Sequence, residues 1–243
     1  ELVLVLLCFL EKVQMCGIVA YLGKKAAQPI LVEGLKRLEY RGYDSAGIAM
    51  LGGGAIRIKK TSGRIEALER MLDEPDAAET FGIGHTRWAT HGEPNTINAH
   101  PHLDYTGKIA VVHNGIIENY GTLKTWLQNE GVEFASETDT EVIASLIGYF
   151  YSNCRDDEEQ TPRNGQNKFE WAVQRALREL HGTFGLAIIC SDFNDMFIGA
   201  KRGSPLILGL GDNEYVLASD AAAIVEHTTR AIYLADNEMV TIG

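Results

Sequence analysis

After Thr183 the sequence breaks into six short apolar runs: Phe184–Cys190, Met196–Ala200, Leu206–Leu208, Tyr215–Leu217, Ala231–Leu234 and Met239–Ile242, with Gly, Asp and Asn between them. Each has strand length and ends in turn-forming residues. Upstream, Cys16 to Gly23 is apolar and β-branched enough for a buried strand. Ser45 to Leu51 reads as a second, turning at Gly52-Gly53-Gly54 into Ala55 to Lys60. Phe81 opens a short strand, and Ile109 to Val112 is a strand running into His113-Asn114-Gly115. Helical periodicity marks Pro29 to Glu39, with Leu31, Leu35 and Leu38 on one face, then Arg64 to Leu72, Glu118 to Glu130 and Phe169 to Leu180. The strongest helix runs from Asp139 to Tyr151, with Val142, Ile143, Leu146, Ile147 and Phe150 on a stripe and Thr138 and Glu141 in capping-box spacing. Mixed strands with separate helices predict an α+β molecule whose sheets are covered by helical layers.

The chain has 243 residues, 45% hydrophobic and 23% charged, enough for a sizeable core in one large domain or two small ones. Its formal net charge of -11 argues against nucleic acid or anionic membrane as a partner. An acidic surface is also common among soluble enzymes. The cysteines at 8, 16, 154 and 190 form no C-x-x-C pair and no dense framework, so a reducing compartment is expected, and with it a cytoplasmic location. Cys190 reads as a small buried hydrophobe. The run Leu2 to Leu10 is far shorter than the roughly 20 residues of a spanning helix. Glu1 stands where a signal peptide would carry basic residues. Met15 lies directly before Cys16, so residues 1–14 are expected to be upstream reading frame or a propeptide, with one domain over 15–243. The apolar end at Gly243 is expected to be a cut inside a longer protein.

Several segments carry chemistry. Cys16 precedes Gly17, which opens the backbone to a reactant. A thiol near its reference pKa needs a base, and the Cys16 α-amino group, once Met15 is removed, would supply one within the same residue. The alternative is a buried structural cysteine. In the loop His85-Thr86-Arg87-Trp88-Ala89-Thr90-His91-Gly92, Arg87 can clamp a carboxylate and Trp88 can wall off water; the alternative is a surface loop anchored by its Trp. Asn114 and Gly115 can form an oxyanion hole or a plain Asn-Gly turn. Asp139 can answer a helix dipole, or stand exposed to pair with a substrate ammonium. His85, His91, His100, His102 and His113 lie on different segments without ligand spacing, so no metal site is expected.

In order along the chain, Met15-Cys16-Gly17-Ile18-Val19, Glu39-Tyr40-Arg41-Gly42-Tyr43-Asp44-Ser45-Ala46-Gly47, His85 through Gly92, His113 through Asn119 and Glu137-Thr138-Asp139-Thr140-Glu141 closely resemble the glutaminase domains of the glutamine–fructose-6-phosphate aminotransferases. The likeness runs from Met15 to the end, including Gly203-Ser204-Pro205-Leu206 and Ala218-Ser219-Asp220. It implies an N-terminal-nucleophile hydrolase fold of the class II glutamine amidotransferase type, a four-layer αββα sandwich. It also implies roles. Cys16 would attack the amide of L-glutamine with its own α-amine as base, and Asn114 and Gly115 would hold the oxyanion. Arg87 would bind the α-carboxylate, and Thr90, His91 and Asp139 would line the amino-acid end. Trp88 would cover the site and Arg41 would support it. No cofactor is implied. The partners implied are sugar isomerase domains of the same full-length protein, which would be a homodimer; those domains are absent from this sequence. The residues before Cys16 depart from the family pattern and would block the free amine. Two other readings remain: a different class II amidotransferase, and a non-catalytic glutamine-binding module kept inert by residues 1–14.

Overall fold

The computed structural model describes residues 16–88, 93–154 and 166–243. Strand β1 (Gly17–Leu22) is apolar on both faces because it lies deep in a sheet. Helix α1 (Ala27–Arg37) begins two residues before Pro29, which therefore sits inside the first turn, where its missing N–H has no helical acceptor to lose. Lys36 and Arg37 in its last turn answer the helix dipole. The chain then closes a 3-10 turn (Glu39–Arg41) and enters the hairpin of β2 (Ser45–Gly52) and β3 (Ala55–Ser62) through Gly53 and Gly54, both at positive φ. Helix α2 (Ile65–Glu69) is only five residues long, shorter at both ends than the periodicity predicts, because only Ile65 and Leu68 find core to bury in. Strand β4 (Phe81–Arg87) is buried at every position.

The second half supplies β5 (His102–Leu103), which the sequence pattern does not announce, and β6 (Ile109–Ile117). The latter runs straight through Asn114 and Gly115, which pair with Gly185 and Phe184, so the Asn-Gly turn is excluded. Helices α3 (Tyr120–Asn129), α4 (Asp139–Asn153) and α5 (Lys168–Glu179) follow. Thr138 caps α4 by accepting from the Glu141 N–H. The Glu141 carboxylate does not complete a capping box; it accepts from the Ala135 and Ser136 N–H groups at 2.8 and 2.6 Å and so fixes the approach to the helix. The full box belongs to α5, between Asn167 and Glu170. Strands β7 (Gly182–Cys190), β8 (Phe197–Arg202), β9 (Ile207–Leu210), β10 (Tyr215–Ala218), β11 (Ala231–Tyr233) and β12 (Glu238–Ile242) match the six apolar runs.

Two antiparallel sheets result, ordered β11-β9-β10-β1-β4-β2-β3 and β12-β8-β7-β6-β5. Their inner faces meet in an apolar layer that includes Ile18, Ala20, Ile83, Ala110, Val112, Ala187 and Leu217. The outer face of the first sheet packs on α1 and α2 through Val19, Leu31, Leu35, Ile48, Ile65 and Leu68. The outer face of the second packs on α3, α4 and α5 through Val111, Ile143, Ile147, Val173 and Ile188. The result is the four-layer αββα sandwich. Helix α4 is buried nearly all round over Asp139–Gly148 because β6 and β5 lie on one side and α3 and α5 on the other, which overrides the single stripe its sequence suggests. Cys190 is fully buried, as its apolar context predicts.

Candidate active site

The site lies where β1, β4 and β6 end beside the start of α4. Alternation decides which side chains reach it. On β4, Ile83, His85 and Arg87 share the inner face; on β6, Ala110, Val112 and Asn114 share the face opposite. His113 points the other way, toward α4, where Nδ1 lies 3.2 Å from Thr140 Oγ1 and 3.7 Å from Asp139 Oδ1. A cavity of about 230 Å³ opens between these elements, lined by Cys16, Arg41, Arg87, Trp88, Asn114, Gly115 and Asp139 among others.

Cys16 sits at the mouth of β1. Its Sγ accepts from the Trp88 N–H at 3.1 Å and faces the Trp88 carbonyl at 3.6 Å. Burial pushes the thiol pKa up; the Trp88 N–H and the Arg87 charge only partly offset this. The thiol is therefore protonated at neutral pH and needs a base. The next backbone N–H, that of Gly17, is spoken for by Thr86 Oγ1 at 3.1 Å. A Cβ on Gly17 would come within 2.6 Å of the same oxygen and 2.9 Å of Leu38, so close packing against β4 and α1 demands glycine there.

Asn114 turns its amide toward Cys16: Nδ2 donates to the Cys16 carbonyl at 2.9 Å, while Oδ1 lies 2.9 Å from His85 Nε2. Gly115 follows at φ 131°, where a Cβ would stand 2.2 Å from the Thr183 carbonyl oxygen. Arg87 is buried, and burial pulls its guanidinium below the ordinary value against the Asp44, Cys16 and Asp139 charges that hold it up. Asp139 is not the exposed carboxylate that the sequence allows; it is buried at the first residue of α4 and accepts from the Ile117 N–H at 3.0 Å. Its charge thus lies at a helix N-terminus and a strand end, both of which stabilise it. Arg41 closes another wall, with Nη2 2.5 Å from Asp220 Oδ2, an oxygen that also accepts from the Tyr40 hydroxyl at 2.7 Å. Trp88 is the exposed member, 37% accessible at the rim. Thr90 and His91 lie outside the described residues.

The structure thus brings seven sequence-derived candidates, Cys16, Arg41, Arg87, Trp88, Asn114, Gly115 and Asp139, to one cavity. It adds residues to which the sequence reading gave no role in the site. His85 contacts Asn114, and the His100 ring lies tilted against that of His85 with centroids 4.2 Å apart. Asp220 orients Arg41, and Thr140, Thr183, Ser204 and Pro205 are among the other lining residues. The signal for Asp220 was the Ala218-Ser219-Asp220 segment, whose Ser219 also accepts from the Ile18 N–H at 3.0 Å. For His100 no local pattern marks a role, since its place depends on the fold of the 93–101 loop.

The model of the glutamine amidotransferase domain family matches residues 85–226. The chain is 50% identical over 228 residues to a glutamine–fructose-6-phosphate aminotransferase (isomerizing) of Caldanaerobacter subterraneus subsp. tengcongensis, covering 94% of this chain and 35% of that protein. It is 49% identical to the enzyme of the same name from Clostridium tetani, covering 93% and 35%. The chain therefore spans about a third of the length of these curated relatives. Among solved structures, the glutamine phosphoribosylpyrophosphate amidotransferase of B. subtilis superimposes with a TM-score of 0.72 at 27% identity, over 93% of this chain and 47% of that one. A glutamine aminotransferase class-II domain protein from Silicibacter pomeroyi, at 16% identity, shares the fold over 94% of this chain and 95% of its own with a TM-score of 0.57. The fold is that of the class II, N-terminal-nucleophile amidotransferases. By the family match over residues 85–226, this chain belongs to the glutamine amidotransferase domain family.

Proposed function

We propose that this chain hydrolyses L-glutamine to glutamate and ammonia through a Cys16 γ-glutamyl thioester, as the glutaminase part of a longer synthase that makes glucosamine 6-phosphate from fructose 6-phosphate. The observation that carries the reading is the convergence of a thiol, a buried cation, a buried anion and an amide donor on one cavity. Arg87 takes the substrate α-carboxylate in a bidentate grip and Asp139 takes the α-ammonium. Held at both charges, the substrate presents its side-chain amide to Cys16. Arg41, kept in place by Asp220, supports the wall beside the nucleophile. Thr90 and His91 are assigned to the same amino-acid end by resemblance.

The thiol transfers its proton to the Cys16 α-amine as Sγ bonds to the amide carbon. The carbonyl electron pair moves onto oxygen, where the Asn114 Nδ2–H group and the Gly115 N–H stabilise it. Collapse breaks the C–N bond, and the leaving nitrogen takes the proton from the α-amine and departs as ammonia. Water, deprotonated by the same amine, adds to the thioester; cleavage of the C–S bond releases glutamate and restores the thiol. The cycle needs a basic α-amine. In the sequence in hand the Cys16 nitrogen is acylated by Met15, and a peptide nitrogen has no basic lone pair. Residues 1–14, whether upstream reading frame or propeptide, are therefore absent from the active form, as is Met15. The charge of -11 and the cysteine pattern support a cytoplasmic enzyme. The length of the relatives supports covalently attached sugar isomerase domains, and the reading extends to a homodimer of the full-length protein.

The test compares glutamate release by the chain beginning at Glu1 with that by the chain beginning at Cys16. Turnover is expected only in the second. Equal turnover in both would overturn the free-amine mechanism, and turnover in neither would leave a glutamine-binding module.

A further inference from the structure

His85 and Asn114 face each other across the apolar layer between the two sheets, a polar bridge in a region otherwise filled by Ile18, Ile83, Ala110 and Val112. Side chains buried in such a layer must satisfy one another. An Asn amide has two faces of similar shape and opposite hydrogen-bonding sense, so its orientation is set by its neighbours. On one side of Asn114 is the Cys16 carbonyl, a pure acceptor, 2.9 Å from Nδ2; on the other is His85 Nε2, 2.9 Å from Oδ1. The pattern is self-consistent in one sense only. If Nε2 carried no proton, its lone pair would face Oδ1, and rotating the amide would set Oδ1 against the Cys16 carbonyl.

We propose that His85 is a positioning residue whose Nε2–H holds the Asn114 amide so that its NH₂ group points at the Cys16 reaction centre. The inference deepens the oxyanion role given to Asn114 above and rests on it. The surroundings of His85 favour this state. The backbone of His113 lies near the ring and favours its protonation, but no group meets the buried Nδ1 in hydrogen-bond geometry among the described residues, so a proton there would be an unsatisfied donor, whereas a bare lone pair is the milder loss. Burial holds the imidazole neutral, with its pKa drawn down to about 3, so one nitrogen alone carries the proton over the working pH range. His100 lies over the ring at 4.2 Å between centroids, and His102 meets His100 edge-on at 5.0 Å, so the space into which His85 could turn is filled. His85 lies on β4, whose backbone is paired on both sides, with β1 and with β2, so its side chain springs from a fixed strand.

The experiment compares His85→Gln, whose amide nitrogen can occupy the place of Nε2, with His85→Asn, whose shorter side chain cannot reach Asn114. Both are polar and close in volume to one another. In the form of the chain that turns over glutamine, His85→Gln is expected to keep kcat within about threefold. His85→Asn is expected to lose on the order of 30- to 100-fold in kcat, somewhat less than deleting an oxyanion donor outright. KM for glutamine should stay within about threefold in both, because Arg87 and Asp139 still hold the amino-acid end. Equal kcat in the two variants, or a loss appearing in KM alone, would overturn the proposal. Asn114→Ala separates the two levels: retained kcat there sinks the oxyanion reading itself, while a loss there with none in His85→Asn sinks only the role of His85. A measurement that needs neither turnover nor a folded variant is the ¹⁵N shift pattern of the His85 ring in the 243-residue chain. Protonation at Nε2 with a bare Nδ1 is expected, and the reverse tautomer would overturn the proposal.

Discussion

Gly115 carries two constraints at once: a φ of 131° and a Thr183 carbonyl oxygen 2.2 Å from where a Cβ would stand. Gly115→Ala must therefore move β6 away from β7 at the site. It is expected to destabilise the protein by about 2–4 kcal/mol, joining backbone strain to a steric clash, and to abolish turnover. Urea denaturation reads the first effect, and an unchanged midpoint would refute the close approach. Asp139 does separable work, since its Oδ2 holds the Ile117 N–H while its charge faces the cavity. Asp139→Asn keeps an acceptor but removes the charge. KM for glutamine should rise about 10- to 100-fold, the worth of a charge-assisted bond, with a smaller effect on kcat. A KM within twofold of the parent would take Asp139 out of substrate binding. The sequence pointed to Asp139 but left it exposed; only the register of β6 against α4 shows that it is buried and shared with a strand end.

The loop over residues 93–101 is held to the sheets by Lys60 on β3, whose Nζ donates to the carbonyls of Ile97, Ala99 and Pro101 at 3.1, 2.7 and 3.2 Å. At its other flank, Asn98 exchanges hydrogen bonds with Glu137 just before α4. Burial lowers the Lys60 pKa to about 8, with the Glu141 charge opposing and the Arg87 charge assisting that shift. A folded pKa below the unfolded one means that the native state binds fewer protons between about pH 8 and 10.5. The destabilisation from keeping the ammonium buried is complete below pH 8 and is relieved as pH rises through that window. The stability of the parent should thus contain a rising component there that Lys60→Met lacks. At pH 7 the same variant leaves three carbonyls without their donor, and faster amide exchange over the 93–101 segment is expected. Unaltered exchange would show that the loop does not depend on Lys60. Nothing in the sequence marks this lysine, because its partners are backbone atoms brought near only by the fold. By contrast the cap of α4 was legible: Thr138 accepts from Glu141 N–H and also contacts His102 Nε2 at 3.1 Å, so Thr138→Ala should cost about 1–2 kcal/mol in a thermal melt.

Across the whole molecule, the sandwich places three imidazoles where they stay neutral: His85, His100 and His102 are all buried, and burial is the first cause of each lowered pKa. When the chain unfolds below pH 6.5, each takes up a proton that the native state refuses. Stability from these groups is present in full above the unfolded value and is lost as pH falls, by about 1.4 kcal/mol per pH unit for each histidine. The three losses act in the same direction, so acid unfolding should set in below pH 6.5 and above the carboxylate range. Denaturant midpoints measured from pH 7.5 to 5 would show the decline, and a flat profile would contradict the neutral cluster. The six C-terminal strands and the long helices were readable because apolar periodicity and turn residues are local properties, and both survived into the structure within a residue or two at most ends. The short helix α2, the strand β5 and the continuation of β6 through Asn114 and Gly115 were not, because each depends on what lies across the sheet. By itself, then, the sequence determined most of the element types, sheets covered by helical layers and the order of the chemical groups; two sheets were what its family resemblance implied. Also legible there is that the Met15–Cys16 peptide nitrogen is no base, because a peptide nitrogen cannot act as one in any fold. Only the tertiary structure decided which of those groups share a cavity, that Asp139 is buried, and that His85 meets Asn114. Such contacts join residues well apart in the chain, 22 positions for Ile117 and Asp139 and 29 for His85 and Asn114, and strand register and layer packing set them, not any local preference of the chain.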